Sequence, residues 1–323
     1  DEDACWSRHI NKLITIYKLL SATEDTYEIL AFEDLLRDFY ADVGLRNENE
    51  KTDFQITGLP ATSYPTFSDL LKYIENTIQQ SKKKDDEVQT ELEIVKMQRY
   101  DNVKLVIQSI VKNYGKLFDG HTTLDNILST QIVCFNIANL KNMKPEVFEA
   151  QIFLAQSLWW DNCVRLGQKQ KELFESSNGK LKAEDAIHFL GIIDEAHTMV
   201  NANKTVTLDQ LLVFEREARK YFGGLLFATQ SIRDFVPENS DKEGVEKIKT
   251  LFELAQYKFI MQQDTNAREV LRNVFTGMLS QTELNAIPHL SKGQMIMVVS
   301  DKKSVKLNLE ITDEENRIFS GGA

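Results

Sequence analysis

The sequence is poor in the features that mark secreted, fibrous or membrane-spanning chains. It holds 5 prolines and 14 glycines in 323 residues, too few for long linkers or for an all-β fold dense in turns. Its three cysteines, Cys5, Cys134 and Cys163, are odd in number and share no metal-ligand spacing. That argues against a disulfide framework and for a reducing compartment. No run approaches the roughly 20 apolar residues of a spanning helix. The opening Asp1-Glu2-Asp3 also lacks the basic start of a secretory signal. A cytoplasmic chain that meets membranes only through partners is expected. Positive charge is scarce too: 38 lysines and arginines face 49 acids, for a net charge of −11. Such a surface repels nucleic acid as a whole, so any DNA contact would need a local basic strip.

What the sequence does contain is 42% hydrophobic and 27% charged residues, enough for two compact units. Two textures divide the chain, at residues 1–115 and 116–323. The first is helical. Phe32, Leu35, Leu36, Phe39, Tyr40 and Val43 recur at helical spacing and predict one buried stripe. Ser21 and Glu24 read as a capping box opening that helix. A polar loop is expected from about Arg46 to Pro65, and Thr66 with Asp69 opens the next helix. The Lys82–Glu87 charge run reads as a solvated face, ahead of a long charged helix from about Glu87 to Val111.

The second texture alternates apolar runs with helical segments. Strands are expected at Ile132–Ile137, Phe189–Ile193, Leu225–Ala228, Lys258–Met261, Met295–Val299 and Val305–Leu309, the last two as a hairpin. Most runs are continuous, the pattern of strands covered on both faces in a parallel sheet. Pro145–Leu166 reads as a helix, with proline in its first turn. It carries Trp159-Trp160, two core residues of which one must point away from the other. The order of elements predicts a doubly wound α/β fold.

Chemistry concentrates at His188-Phe-Leu-Gly-Ile-Ile-Asp-Glu-Ala-His197. An apolar strand there delivers Asp194 and Glu195 at its carboxyl end, where ligands bind in open α/β sheets. In nucleotide-hydrolysing motors such a pair divides the work: one acid holds Mg²⁺ and the next polarises the attacking water. The alternative is a strand that simply ends in a polar turn. Thirty-five residues after Glu195, a second apolar strand ends in Thr229-Gln230, and a glutamine amide both donates and accepts. Between them a helix carries Arg216 and Arg219. Either can stabilise charge on a neighbouring subunit's nucleotide or pair as ordinary surface charge with Glu215 or Glu217.

These residues resemble the FtsK–HerA superfamily of hexameric RecA-like motors, and within it the VirB-type ATPases of conjugation and type IV secretion. Arg219-Lys220, Gly223-Gly224 and Ala228-Thr229-Gln230 look like that family's segment between Walker B and the sensor glutamine. Tyr114–Gly120 with Thr122, similar to the family's glycine-containing loop, Pro65–Leu70, similar to its helical-insertion segment, Leu279-Ser280 with Glu283, and Gly293-Gln294 extend the similarity. The resemblance implies a RecA-like P-loop NTPase core with a mostly parallel sheet, incomplete without upstream strands, and an all-α subdomain. It further implies ATP and Mg²⁺ as cofactors, with Asp194 on the Mg²⁺ through water and Thr229 at the nucleotide. Glu195 would be catalytic, Gln230 the sensor and Arg219 the trans-acting finger. The implied partners are other secretion or conjugation subunits, inner-membrane channel proteins among them, and further copies in a hexamer.

One departure stands out. No Gly-x-x-x-x-Gly-Lys-Ser/Thr loop occurs. Tyr114-Gly-Lys-Leu117 and Asn178-Gly-Lys-Leu181 lack the second glycine and the hydroxyl. The chain is therefore expected to be the C-terminal part of a longer subunit, or else a degenerate scaffold of the same machine. Asp194-Glu195-Ala-His197 also spells a DEAH box, but no arginine-rich second-domain motif accompanies it. His197 reads as a polar residue after the strand.

Overall fold

The computed structural model describes residues 2–45, 56–83, 90–123, 130–178, 180–300 and 303–319. Two compact units divide at Gln151/Ile152. In the first, α1 (Glu2–Ser21), α2 (Thr26–Asp42), α3 (Phe67–Lys83) and α4 (Glu91–Phe118) share one core. Most of the α2 stripe forms as its spacing predicts: Phe32, Leu35, Leu36, Phe39 and Tyr40 are all buried, but Val43 caps the helix end and is exposed. Phe32 stacks on Tyr17 at 4.1 Å between ring centroids. Asp69 accepts from the Thr66 amide at 3.0 Å, at the start of α3.

Three local expectations fail in this unit. Ser21 does not open α2; it ends α1, and its hydroxyl donates to the Tyr17 carbonyl at 2.7 Å. Asp25 is the cap instead, accepting from the Tyr27 amide. Ser21 and Asp25 are both good cap residues, and pattern alone cannot choose between them. Tyr114–Phe118, read as part of a glycine-containing loop, is the end of α4, with non-helical φ/ψ at Tyr114. Glu91 begins α4 inside a capping box of Thr90 and Glu93. Residues 46–55 of the polar loop and 84–89 of the charge run lie outside the described residues.

From Pro145 the chain forms α5 (Pro145–Ser176), β1 (Phe189–Ile193), α6 (Thr205–Glu217), β2 (Gly223–Phe227), α7 (Lys242–Leu254) and β3 (Tyr257–Ile260). Then come α8 (Arg268–Val274), α9 (Gln281–Ala286), β4 (Gln294–Val299), β5 (Lys303–Asn308) and α10 (Asp313–Ile318). Helix α5 runs ten residues past its expected end at Leu166. Residues 132–137, expected as a strand, are irregular, and Ile132 is 82% exposed. A short apolar run does not become a strand without a neighbour to pair with.

Among the described residues parallel pairing is confined to β1 and β2, in the register Ile193↔Phe227. Strands β3, β4 and β5 form an antiparallel sheet. The connection after Val299 is too short for a crossover, so β5 must return as a hairpin partner. The strands also alternate in burial rather than being covered twice. One face of β1–β2 packs Phe189 and Leu225 with Trp160 and Tyr221 around Cys163 of α5 and Phe214 and Ala218 of the α6 region. The other face leaves Leu190, Ile192 and Leu226 exposed. Trp160 meets Phe214 edge-on at 5.5 Å, so it belongs to this core.

Candidate functional site

The parallel register of β1 and β2 determines what meets at their carboxyl ends. Pairing continues past both strands: the Ala228 amide donates to the Ile193 carbonyl at 2.9 Å, and the Ala196 amide donates to the Ala228 carbonyl at 2.8 Å. Each chain therefore advances in step, and Asp194-Glu195 arrive beside Thr229-Gln230. Four of the five predicted site residues are brought together by this ladder.

Glu195 occupies the left-handed region, with φ 48° and ψ 48°. A non-glycine residue there is uncommon, and such backbone clusters at functional sites. The turn is held by the Glu195 amide, which donates to Asp194 Oδ1 at 2.9 Å. It is also held by the 3-10 turn Ala196–Thr198 that follows. Gln230 Nε2 donates to Glu195 Oε1 at 2.7 Å. Asp194 is exposed and Glu195 half-buried. The acid is thus anchored while both carboxylates remain open to solvent.

Arg219 is placed elsewhere. It sits exposed in the 3-10 turn Ala218–Tyr221, just before the amino end of β2. At about 3.3 Å per residue, the length of β2 separates it from Gln230. Neither Arg219 nor Arg216 forms an ion pair among the described residues; Glu217 pairs with Lys220 at 2.6 Å.

Two residues join the site that sequence reasoning did not place there. His197 Nδ1 lies 3.1 Å from Thr229 Oγ1 and 3.4 Å from Glu195 Oε2. Gln263, just beyond β3, donates from Nε2 to the Gln230 carbonyl at 3.0 Å. Its Oε1 accepts from the Ile232 amide at 3.1 Å. The loop that carries Gln230 is therefore braced from the second sheet. A signal for Gln263 exists: it stands three residues past the end of β3, as Gln230 stands three past the end of β2.

The donor set suits a hard cation held largely by water. Asp194 offers an exposed carboxylate and Thr229 a hydroxyl, both oxygen donors of the kind Mg²⁺ takes. Among the described residues no group of three or more His, Cys, Asp or Glu is arranged to hold a metal, so the remaining ligands would be water and phosphate oxygens.

No family model matches the chain. Over all of its length it is 31% identical to the uncharacterized protein pXO2-09 of Bacillus anthracis, of which it spans 48%. VirB4 of Thermoanaerobacter pseudethanolicus matches with a TM-score of 0.69 at 19% identity, over 96% of this chain and 70% of that one. The chain has the VirB4 fold. The plasmid coupling protein TrwB, solved with the non-hydrolysable GTP analogue GDPNP, matches with a TM-score of 0.50 at 12% identity. That match covers 94% of this chain and 69% of TrwB. The VirB4 likeness takes in both compact units, so the helical region and the α/β region belong to one P-loop NTPase architecture.

Proposed function

We propose that this chain is the hydrolytic half of a motor ATPase of conjugation or type IV secretion, working with a phosphate-binding half elsewhere in a longer polypeptide. The observation that carries the reading is the Glu195 carboxylate, held by Gln230 at 2.7 Å beside Asp194 at the end of a parallel strand pair. Bound ATP and Mg²⁺ would supply the scissile phosphate and the charge that activates it. Asp194 would hold the cation through water, and Thr229 would face the nucleotide. Glu195 would orient a water and accept its proton. Gln230 would link the state of the nucleotide to that acid. Arg219, exposed and remote from Glu195, suits a role at a neighbouring copy's nucleotide in a hexamer.

Three observations support the incompleteness of the core. The sequence contains no phosphate loop. The β1–β2 pair leaves Leu190, Ile192 and Leu226 at 58%, 60% and 48% exposure on one face, whereas parallel strands are normally covered on both. The chain also spans only 48% of its Bacillus relative. Residues 1–115 would then be a helical insertion on a motor core completed by 116–323. Among the described residues no helix is long and apolar enough to cross a membrane. Docking on inner-membrane channel subunits would supply that association.

The test uses a natural polypeptide that includes a phosphate loop. Glu195→Gln should lower ATP turnover by roughly 100-fold or more while nucleotide binding persists. The 323 residues alone should turn over little ATP. If they turn it over and Glu195→Gln abolishes that activity, the division into halves is wrong. Failure of the longer polypeptide to bind nucleotide would favour the scaffold reading.

A further inference from the structure

His197 has no part in the scheme above, yet its contacts bear on where its proton sits. Thr229 has a single hydroxyl hydrogen, and the Ser231 carbonyl, 3.4 Å away, is in place to take it. Thr229 Oγ1 is then the acceptor at its 3.1 Å contact with His197 Nδ1. A hydrogen on Nδ1 follows. The same nitrogen is 3.4 Å from Glu195 Oε2, while Glu195 Oε1 is taken by Gln230. Each carboxylate oxygen therefore has a different neighbour, Gln230 in a hydrogen bond and the imidazole in a longer contact. The backbone that carries the imidazole is itself held: the Asn201 side-chain amide donates to the His197 carbonyl at 3.3 Å.

We infer that His197 is a positioning residue for Glu195, with an Nδ1–H bonded to Thr229 Oγ1 and facing Glu195 Oε2 at 3.4 Å. The inference rests on the proposed role of Glu195 and adds to it. Glu195 hangs on a strained left-handed turn at the open end of the sheet, where a lone carboxylate would sample several rotamers. Gln230 alone constrains one oxygen. The second contact, from an imidazole seated on Thr229, limits rotation about the carboxylate and aims the remaining lone pairs at one place. Thr229 then serves twice, offering a hydroxyl towards the nucleotide side and fixing the tautomer that faces the acid.

Two measurements test this. In the 323-residue chain at about pH 8, long-range ¹H–¹⁵N correlation should show His197 protonated on Nδ1 and bare on Nε2. Its signals are assigned by their loss in His197→Asn. Protonation on Nε2 with a bare Nδ1 overturns the inference. In the polypeptide with a phosphate loop, His197→Ala should lower kcat about tenfold, with KM for ATP changed by less than about twofold. His197→Asn, whose amide N–H falls near the Nδ1 position, should recover most of that loss. Equal losses in the two variants, or a loss confined to KM, overturn it as well. If the unsubstituted polypeptide shows no turnover, the motor reading fails, and the tautomer measurement still decides whether Nδ1 carries the hydrogen that the inference requires.

Discussion

Replacing Gly223 with alanine should strain the layer that positions the site, and a second substitution should relieve it. Gly223 opens β2, and a Cβ there would stand 2.5 Å from Cys163 Sγ, 3.2 Å from Ala218 Cβ and 3.3 Å from the Ala218 carbonyl. Carbon–sulfur contacts need more than 3.5 Å, so helix α5 and strand β2 must part by roughly 1 Å. Overpacking of this kind costs about 1–3 kcal/mol. Cys163 is fully buried, so Cys163→Ala should itself cost about 1 kcal/mol. Combining them removes the closest clash, and the double variant should be more stable than the sum of the singles by about 1–2 kcal/mol. The remaining 3.2 Å contact with Ala218 Cβ keeps the rescue incomplete. Urea unfolding followed by fluorescence reports on this unit in a Trp6→Phe background, because Trp159 and Trp160 both lie on α5. Strict additivity, or a neutral Gly223→Ala, would refute the claim that close helix–strand approach demands glycine here. A displaced β2 should also loosen the Gln230–Glu195 contact, which begins only three residues past the strand.

The remaining expectations concern stability. Phe32→Ala, at a fully buried site stacked on Tyr17, should cost the helical unit about 3–5 kcal/mol, read as a lower calorimetric Tm for that unit. His9 is partly buried, with Nε2 2.6 Å from the Tyr40 hydroxyl. Burial, followed by the Lys12 charge, lowers its pKa from 6.5 to about 4. The unfolded chain therefore binds the proton more readily, and this contribution is complete above pH 6.5 and lost as pH falls towards 4. The span corresponds to roughly 3 kcal/mol at most, and His9→Gln should flatten it. Burial pushes Glu215 the other way, up to about 7. Its contribution is present below pH 4.5 and lost as pH rises through 7, so Glu215→Gln should stabilise the α/β unit at pH 8 but not at pH 4. Equal effects at the two pH values would contradict the assignment. Asp241 Oδ1 accepts from the Gly244 amide at the start of α7, at 2.6 Å, and Asp241→Ala should cost about 1 kcal/mol.

Elements whose signal is local were legible. The α2 stripe, the β1 strand ending in two acids and the β4–β5 hairpin all follow from short-range periodicity and turn chemistry. Leu279-Ser280 with Glu283, read as a family feature, proves to be a helix cap: Ser280 and Glu283 form a capping box at α9. Gly293 likewise adopts φ +85° where the chain turns into β4. Signals that several structures share were not decisive. Ser21 and Asp25 compete as caps, and the apolar run 132–137 has strand composition without a strand's partner.

Asp194, Glu195, Thr229 and Gln230 were identifiable by order along the chain, because a strand followed by polar residues has only one end at which to present them. Their meeting is a property of the parallel register, a long-range choice that composition does not encode. The inclusion of His197 was decided the same way, by a 3-10 turn that folds it back over Thr229. Gln263 enters through bonds between the ends of two separate sheets. Arg219 marks the limit in the other direction: its place in the sequence lies between the two site strands, but β2 carries it to the far end. The sequence by itself determined which polar residues stand at the strand ends, since residue type and strand position are local facts. Only the tertiary structure decided which of them touch, because hydrogen bonds of 2.7 to 3.1 Å depend on register and turn geometry set by packing elsewhere.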